Sequence, residues 1–331
     1  MTKHLLLFIL ILLISANSFG QKKQKDKKYI EKTKYSFSFT PSYLNQSTTY
    51  KILDNNGIGE SIVYRPNVLG AVTLGMRYSF IGLSYTFQLP MSSDLETNYG
   101  KSEYTNVSMV IQTRNVGFNL YFQKFKGMYR DINDGMFPKY DSQIPLTQRN
   151  DLQTFTVGYY NNFVFGRKFS MKAAFDQSEI QKKSAGSAMI MIADRFTRIQ
   201  ADSTIVPYDQ VAAYTDMYGF YKGTFNSLII APGFGYSFVA GPFSFTPVVL
   251  MGSGLQIQSY RLKHPLGSKD SKKSGIKFPM YLNVKNAIGI NTQSFYFRIV
   301  SGIDMNILPI KSDTKTSLTY LKAEVCMGVR F

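Results

Sequence analysis

Tryptophan is absent, cysteine occurs once, at Cys326, and the 331 residues hold only two histidines. One cysteine excludes a disulfide framework. Beyond the first twenty residues the only histidine is His264, so a zinc site has too few ligands. Ser268 lies four residues on, but the spacing gives no catalytic Ser–His pair. No phosphate-cradling glycine motif precedes a helix. No cofactor is therefore expected and no enzymatic turnover. After the N-terminus no apolar run is long enough for a transmembrane helix, which needs roughly 20 residues. Acids are also scarce: 21 Asp and Glu face 38 Lys and Arg, a formal charge of +17.

What is abundant is aromatic. Tyr and Phe supply 23 and 26 residues, and hydrophobic residues reach 44%, too much for a disordered chain. The mean hydropathy of −0.13 is blind to a transmembrane barrel, where apolar residues alternate with polar ones.

Met1 to Gly20 reads as a signal peptide: Lys3, then the apolar run Leu5 to Ile14, then Ser18-Phe19-Gly20. Ten apolar residues are too short to span about 30 Å of hydrocarbon. Residues 21–33 begin with QKKQKDKK and read as a basic flexible spacer. Residues 34–331 read as a single domain.

That domain alternates with period two. The clearest segments are 34–40, 81–89, 116–123, 169–176 and 294–299. In the last, 320–331, Leu321, Ala323, Val325, Met327, Val329 and Phe331 share one face. Export, aromatic-rich strands of about ten residues and a strand ending on Phe331 predict an antiparallel transmembrane β-barrel. The terminal Phe331 is the expected signal for the outer-membrane assembly machinery. Short connections at Ser79-Phe80, Thr113 to Asn115, Gly166-Arg167, Ala240-Gly241 and Asn291 to Gln293 alternate with longer ones at 45–67, 90–103, 126–149, 177–225, 260–277 and 308–316. This spacing gives about twelve strands with both termini in the periplasm. Fourteen is the alternative if 177–225 holds another hairpin. Pro41, Pro232 and Pro247 fall inside expected strands and point to bulges or strand ends. A soluble secreted β-sandwich acting as a binding module is the competing class, and an outer-membrane lipid-modifying enzyme a lesser one.

With the polar faces inward, Arg77, Arg114, Lys172, Asp176, Lys285, Arg298, Asp304, Lys322, Glu324 and Arg330 would line or flank the lumen. Such mixed charge either pairs across a plugged lumen or leaves a narrow pore favouring small anionic solutes. The basic fifth loop, with Lys263, Lys269, Lys272, Lys273 and Lys277, suits outer-membrane lipid headgroups, and the compartment argues against nucleic acid.

Gln181, Lys182, Lys183, Ser184, Ala185, Gly186 and Ser187 form a polar turn with lysines on both faces, which favours a rim or an inward fold over a lipid-facing strand. This QKKSAGS stretch, with Tyr64-Arg65-Pro66-Asn67 and Lys126-Gly127-Met128-Tyr129, resembles an uncharacterised outer-membrane family of Bacteroidota, a domain of unknown function. The resemblance covers most of the mature chain. It implies a Gram-negative outer-membrane barrel and supplies no catalytic residue.

Overall fold

The structure is a computed structural model that describes residues 26–53, 60–112, 116–140, 145–263, 270–309 and 314–331. The expected signal peptide, Arg114, His264, Ser268 and Lys269 lie outside the described residues. The strands in chain order are β1 (Ile30–Lys32), β2 (Phe37–Leu53), β3 (Ile62–Arg65), β4 (Ala71–Tyr78), β5 (Ile81–Gln88), β6 (Glu103–Gln112), β7 (Val116–Asp131) and β8 (Gln148–Val164). They continue as β9 (Glu179–Gln181), β10 (Ala185–Gln200), β11 (Phe220–Ala240), β12 (Phe243–Leu262), β13 (Ser271–Lys277), β14 (Met280–Asn291), β15 (Phe295–Pro309) and β16 (Lys315–Arg330). A short helix α1 (Ser93–Tyr99) sits between β5 and β6.

Twelve of these strands form one closed antiparallel ring, in the order β11-β10-β8-β7-β6-β5-β4-β2-β16-β15-β14-β12, with β12 returning to β11. Closure removes every edge from the ring, so the sandwich alternative does not form. The seam is tied by Phe37 and Phe331, whose backbones exchange N–H···O bonds of 3.2 and 3.0 Å. Short turns, the first described residues from Asp26 and the final Phe331 share one end of the barrel, hereafter the turn end; the opposite end carries the loops.

Alternation explains the two surfaces. Met76, Leu83, Phe234, Met251, Ile257 and Met327 are exposed on the outer wall, whereas Ser42, Gln46, Thr156, Gln256 and Asn283 are buried on the inner one. Aromatics mark both rims of the apolar band: Tyr78, Phe80, Phe295 and Phe331 at the turn end, and the row Phe122, Phe155 and Phe196 towards the loops.

Twelve strands are present as expected, but one member differs. The segment 169–176 is not a strand: Lys172–Asp176 is a single π-helical turn inside the barrel. Gly166-Arg167 is therefore no hairpin turn but the start of an insertion, 165–184, and the strand in that place is β10. The expected loop 177–225 reduces to 201–219. β9 pairs with β1, so the expected spacer has Ile30–Lys32 docked at the mouth rather than trailing from it.

Strands also run further than about ten residues. β2 reaches Leu53 and β7 reaches Asp131, while β4, β5 and β6 stop short. Above them β3 bridges the gap, pairing Ile62–Tyr64 with β2 and Val63–Arg65 with β7, so the wall narrows towards the loops. The prolines sit where the ladder gives way. Pro232 and Pro247 fall at gaps in the β11–β12 ladder across which the register is unchanged, and each keeps its pair on the other side, opposite Ile190 and Asn286. Pro41 keeps its place opposite Leu74.

Candidate functional site: two closures and a chamber

The insertion 165–184 fills the turn end as a plug. Phe169, Met171 and Phe175 pack against Met189, Ala231 and Val248 on the inner wall of β10–β12. On the opposite side Ala174 makes a small apolar contact with Ala287 and Val300, and the chain is held by three guanidinium groups. A helix end leaves carbonyls without intrahelical partners, and cations satisfy them while complementing the helix dipole. Arg330 donates to the Gln177 carbonyl through Nε (3.1 Å) and Nη2 (2.6 Å), and Nη2 also reaches Asn291 Oδ1 at 2.7 Å. Arg298 donates to the Ala174 carbonyl at 3.2 Å. Arg77 closes an ion pair with Asp176. Gln177 takes a left-handed backbone (φ 57°), which turns the chain out of the helix.

Ser170 starts that helix. Its Oγ accepts the Ala173 N–H at 3.1 Å and donates to Glu179 Oε2 at 2.5 Å.

The QKKSAGS stretch is the return from plug to wall. Gln181 is buried; it accepts the Ser170 N–H at 3.0 Å and donates to the Lys168 and Lys183 carbonyls at 2.6 and 2.9 Å. Lys182 pairs with Glu31 at 3.0 Å, and Lys183 lies 6.0 Å from the Tyr29 ring. Ser184 Oγ accepts the Val239 N–H at 2.9 Å, and Ser187 Oγ accepts the Gly166 N–H at 2.7 Å. Gly186 is required by space: a Cβ there would come within 2.6 Å of the Tyr236 ring. Lys182, Lys183 and Ser184 form an exposed rim, while Gln181 points inward.

The loop end closes differently. Ile205, Val206, Tyr214 and Met217 from the connection 201–219 pack with Tyr50, Ile62, Tyr64, Phe225 and Tyr260 into a dry core. Polar stitches hold the backbone: Tyr64 donates to the Ile205 carbonyl at 2.6 Å, and Asn67 donates to the Leu95 and Gly100 carbonyls at the end of α1. Arg65 and Asp131 form a fully enclosed ion pair at 2.7 Å. The Tyr-Arg-Pro-Asn and Lys-Gly-Met-Tyr segments thus both belong to this closure, with a bulge between Lys126 and Met128 setting the latter.

Between the closures lies a chamber of about 440 Å³. Its ceiling is a strut across the lumen. Arg195 makes a bidentate contact with Asp304 (2.9 and 3.2 Å), and Asp304 also accepts from Tyr281 at 2.5 Å and Asn283 at 3.1 Å. Lys322 pairs with Glu324 at 2.7 Å, and Ser42 donates to the other oxygen of Glu324. Lys285 lies 4.8 Å from the Tyr160 ring centroid, over its face. Lys172 lines the chamber from the plug. Arg298 Nε donates to Cys326 Sγ at 2.9 Å below it, so the lone cysteine is buried against the plug's anchor.

The expected lumen set Arg77, Lys172, Asp176, Lys285, Arg298, Asp304, Glu324 and Arg330 is therefore internal, but divides by role. Arg77, Asp176, Arg298 and Arg330 secure the plug; Lys285, Asp304 and Glu324 belong to the chamber. Sequence reasoning missed Arg195, Tyr160 and Asn283. Arg195 was lost because both faces of β10 are partly apolar, which blurs the period-two contrast. Among the described residues no cluster of three or more His, Cys, Asp or Glu could hold a metal.

Outer-membrane protease OmpT from Escherichia coli shares 7% identity over 89% of this chain and 97% of its own, with a TM-score of 0.37. The translocator domain of autotransporter NalP from Neisseria meningitidis shares 7%, covering 100% and 98%, with a TM-score of 0.35. The Ralstonia pickettii toluene transporter TbuX shares 7%, covering 90% of each chain, with a TM-score of 0.28. No curated protein matches in sequence. The family model for a domain of unknown function, DUF4421, matches residues 24–331, and the chain belongs to that family.

Proposed function

We propose that this chain is an outer-membrane β-barrel without enzymatic turnover, which encloses a small solute chamber and is closed as a pore. The observation that carries this reading is obstruction at both ends: a tethered plug at one and a dry core at the other. The chamber lining holds six Lys and Arg against three Asp and Glu, an excess that favours small anionic solutes. The turn end, with both termini, faces the periplasm, and Phe331 at the seam is the handle for barrel assembly. The apolar outer band meets lipid. At the loop end, Lys272, Lys273 and Lys277 project from the exposed strand β13 and suit anionic headgroups. These lysines also keep an open edge from pairing with another chain.

Planar-bilayer recording of the refolded full chain tests the closed reading. Silent membranes are expected, and long-lived open steps from the unaltered protein would overturn it. Heat-modifiable migration on a denaturing gel confirms folding in the same preparation.

A further inference from the structure

On three adjacent strands the register sets Lys285, Gly302 and Lys322 in a single row. All three line the chamber. Gly302 has no side chain, and the stem of Lys285 leans beside it: a Cβ there would lie 3.5 Å from Lys285 Cγ. Lys322 already has Glu324. Among the described residues no carboxylate comes within ion-pair distance of Lys285, which lies over the face of Tyr160; its charge is felt by Asp304, which Arg195 already holds by two contacts.

A second observation points the same way. Asn283, two residues before Lys285 on β14, is 2% exposed, yet its Oδ1 accepts no hydrogen bond. Asn162 Oδ1, also on the lining, is buried in the same condition. A buried acceptor left unmade costs about 1–3 kcal/mol, and such groups are kept where something else satisfies them. Residues two apart on a strand face the same way with Cα atoms about 7 Å apart, close to the span of a benzene ring substituted at both ends. Tyr160, Tyr121 and Phe175 supply aromatic walls. The volume suits a small molecule.

We propose that the chamber binds a small aromatic carboxylate bearing a hydroxyl or amino donor. The carboxylate sits at Lys285 over Gly302, and the donor is received by Asn283. The ligand enters from the turn end, where Gly117, Val164, Phe165 and Arg167 carry the lining out beside the plug. The dry core blocks the other route. This assignment deepens the closed-chamber reading and rests on it only for the direction of access.

Calorimetric titration of the refolded full chain with 4-hydroxybenzoate is the test. Saturable binding in the micromolar to low millimolar range is expected, weakened at least about tenfold by Lys285→Met and kept within about threefold by Lys285→Arg. The neutral 4-hydroxybenzyl alcohol should bind at least about tenfold more weakly, because it brings no charge to Lys285. No heat up to about 10 mM, equal affinity for the alcohol, or indifference to Lys285→Met would each overturn the proposal. Should Lys285→Met fail to give a heat-modifiable barrel, Asn119→Phe, which fills the chamber from β7, replaces it and should abolish binding. Open channels with binding intact would sink the closed reading alone; silent membranes with no binding would sink this one alone.

Discussion

The two ends of the barrel are both obstructed, but by different physics. At the turn end a short insertion packs one side on the wall through Phe169, Met171 and Phe175, and its other side is fixed by directional contacts from Arg77, Arg298 and Arg330 to one helix terminus. At the loop end side chains from many segments share one packed core. A tether fails contact by contact, while a core fails as a unit, because each side chain there depends on the volume filled by the others. The plug is therefore expected to loosen within a folded barrel before the loop closure does.

The largest effect should come from the buried ion pair of the loop end. Arg65→Met leaves Asp131 charged and enclosed, which costs about 3–5 kcal/mol. Urea unfolding of the refolded barrel measures it, and Arg65→Met with Asp131→Leu should recover most of the loss. A single variant as stable as the parent would show that this end is not built as a core.

At the turn end Arg330→Met should do the opposite, sparing global stability and freeing the plug. Cys326 reports this without added probes, since it is the only cysteine and is 1% exposed beneath Arg298. Maleimide labelling should quicken at least about tenfold, equivalent to roughly 1.4 kcal/mol of lost closure. The contrast breaks if Arg65→Met exposes Cys326 while Arg330→Met does not. Ser170→Ala removes the start of the plug helix and should quicken labelling severalfold, in keeping with about 1 kcal/mol for such a cap.

The same contrast governs what the sequence shows. The wall was legible because an inner and an outer face impose period two, and 320–331 or 81–89 can be read directly as strands. The plug was not. Over eight residues Phe169, Met171, Ala173 and Phe175 alternate with Ser170, Lys172, Ala174 and Asp176 as a strand would, yet the segment lies within the lumen, where its two sides meet an apolar wall and a polar one. A two-sided environment produces two-sided composition in either conformation. β10 hid for the converse reason: Met189, Met191 and Ala193 pack against the plug, so its inner face is apolar too. The basic character of the QKKSAGS turn was readable, but its contacts lie far away in sequence, with Glu31, Tyr29 and Val239.

The smallest expected effect separates the tether from the core by pH. Glu31, on β1 at the mouth, is held below the usual carboxylate range chiefly by the hydrogen bond from Lys182, with burial opposing and Gln293 assisting. A depressed folded value means that the contact contributes fully above the unfolded value, about 4.3, and is lost as pH falls through the folded one. Both groups are exposed, so the contribution is slight. Hydrogen exchange at Ile30–Lys32, corrected for intrinsic rate, should show protection falling only once the pH is below the ordinary carboxylate range. Amides of the loop-end core should keep theirs. In Lys182→Gln the step should shrink and move to higher pH, because the largest cause of the depression is gone while the Gln293 hydrogen bond and the Lys34 charge remain. An unchanged step in that variant would assign the pH response to some other group and leave β1 docked by its backbone pairing with β9 alone.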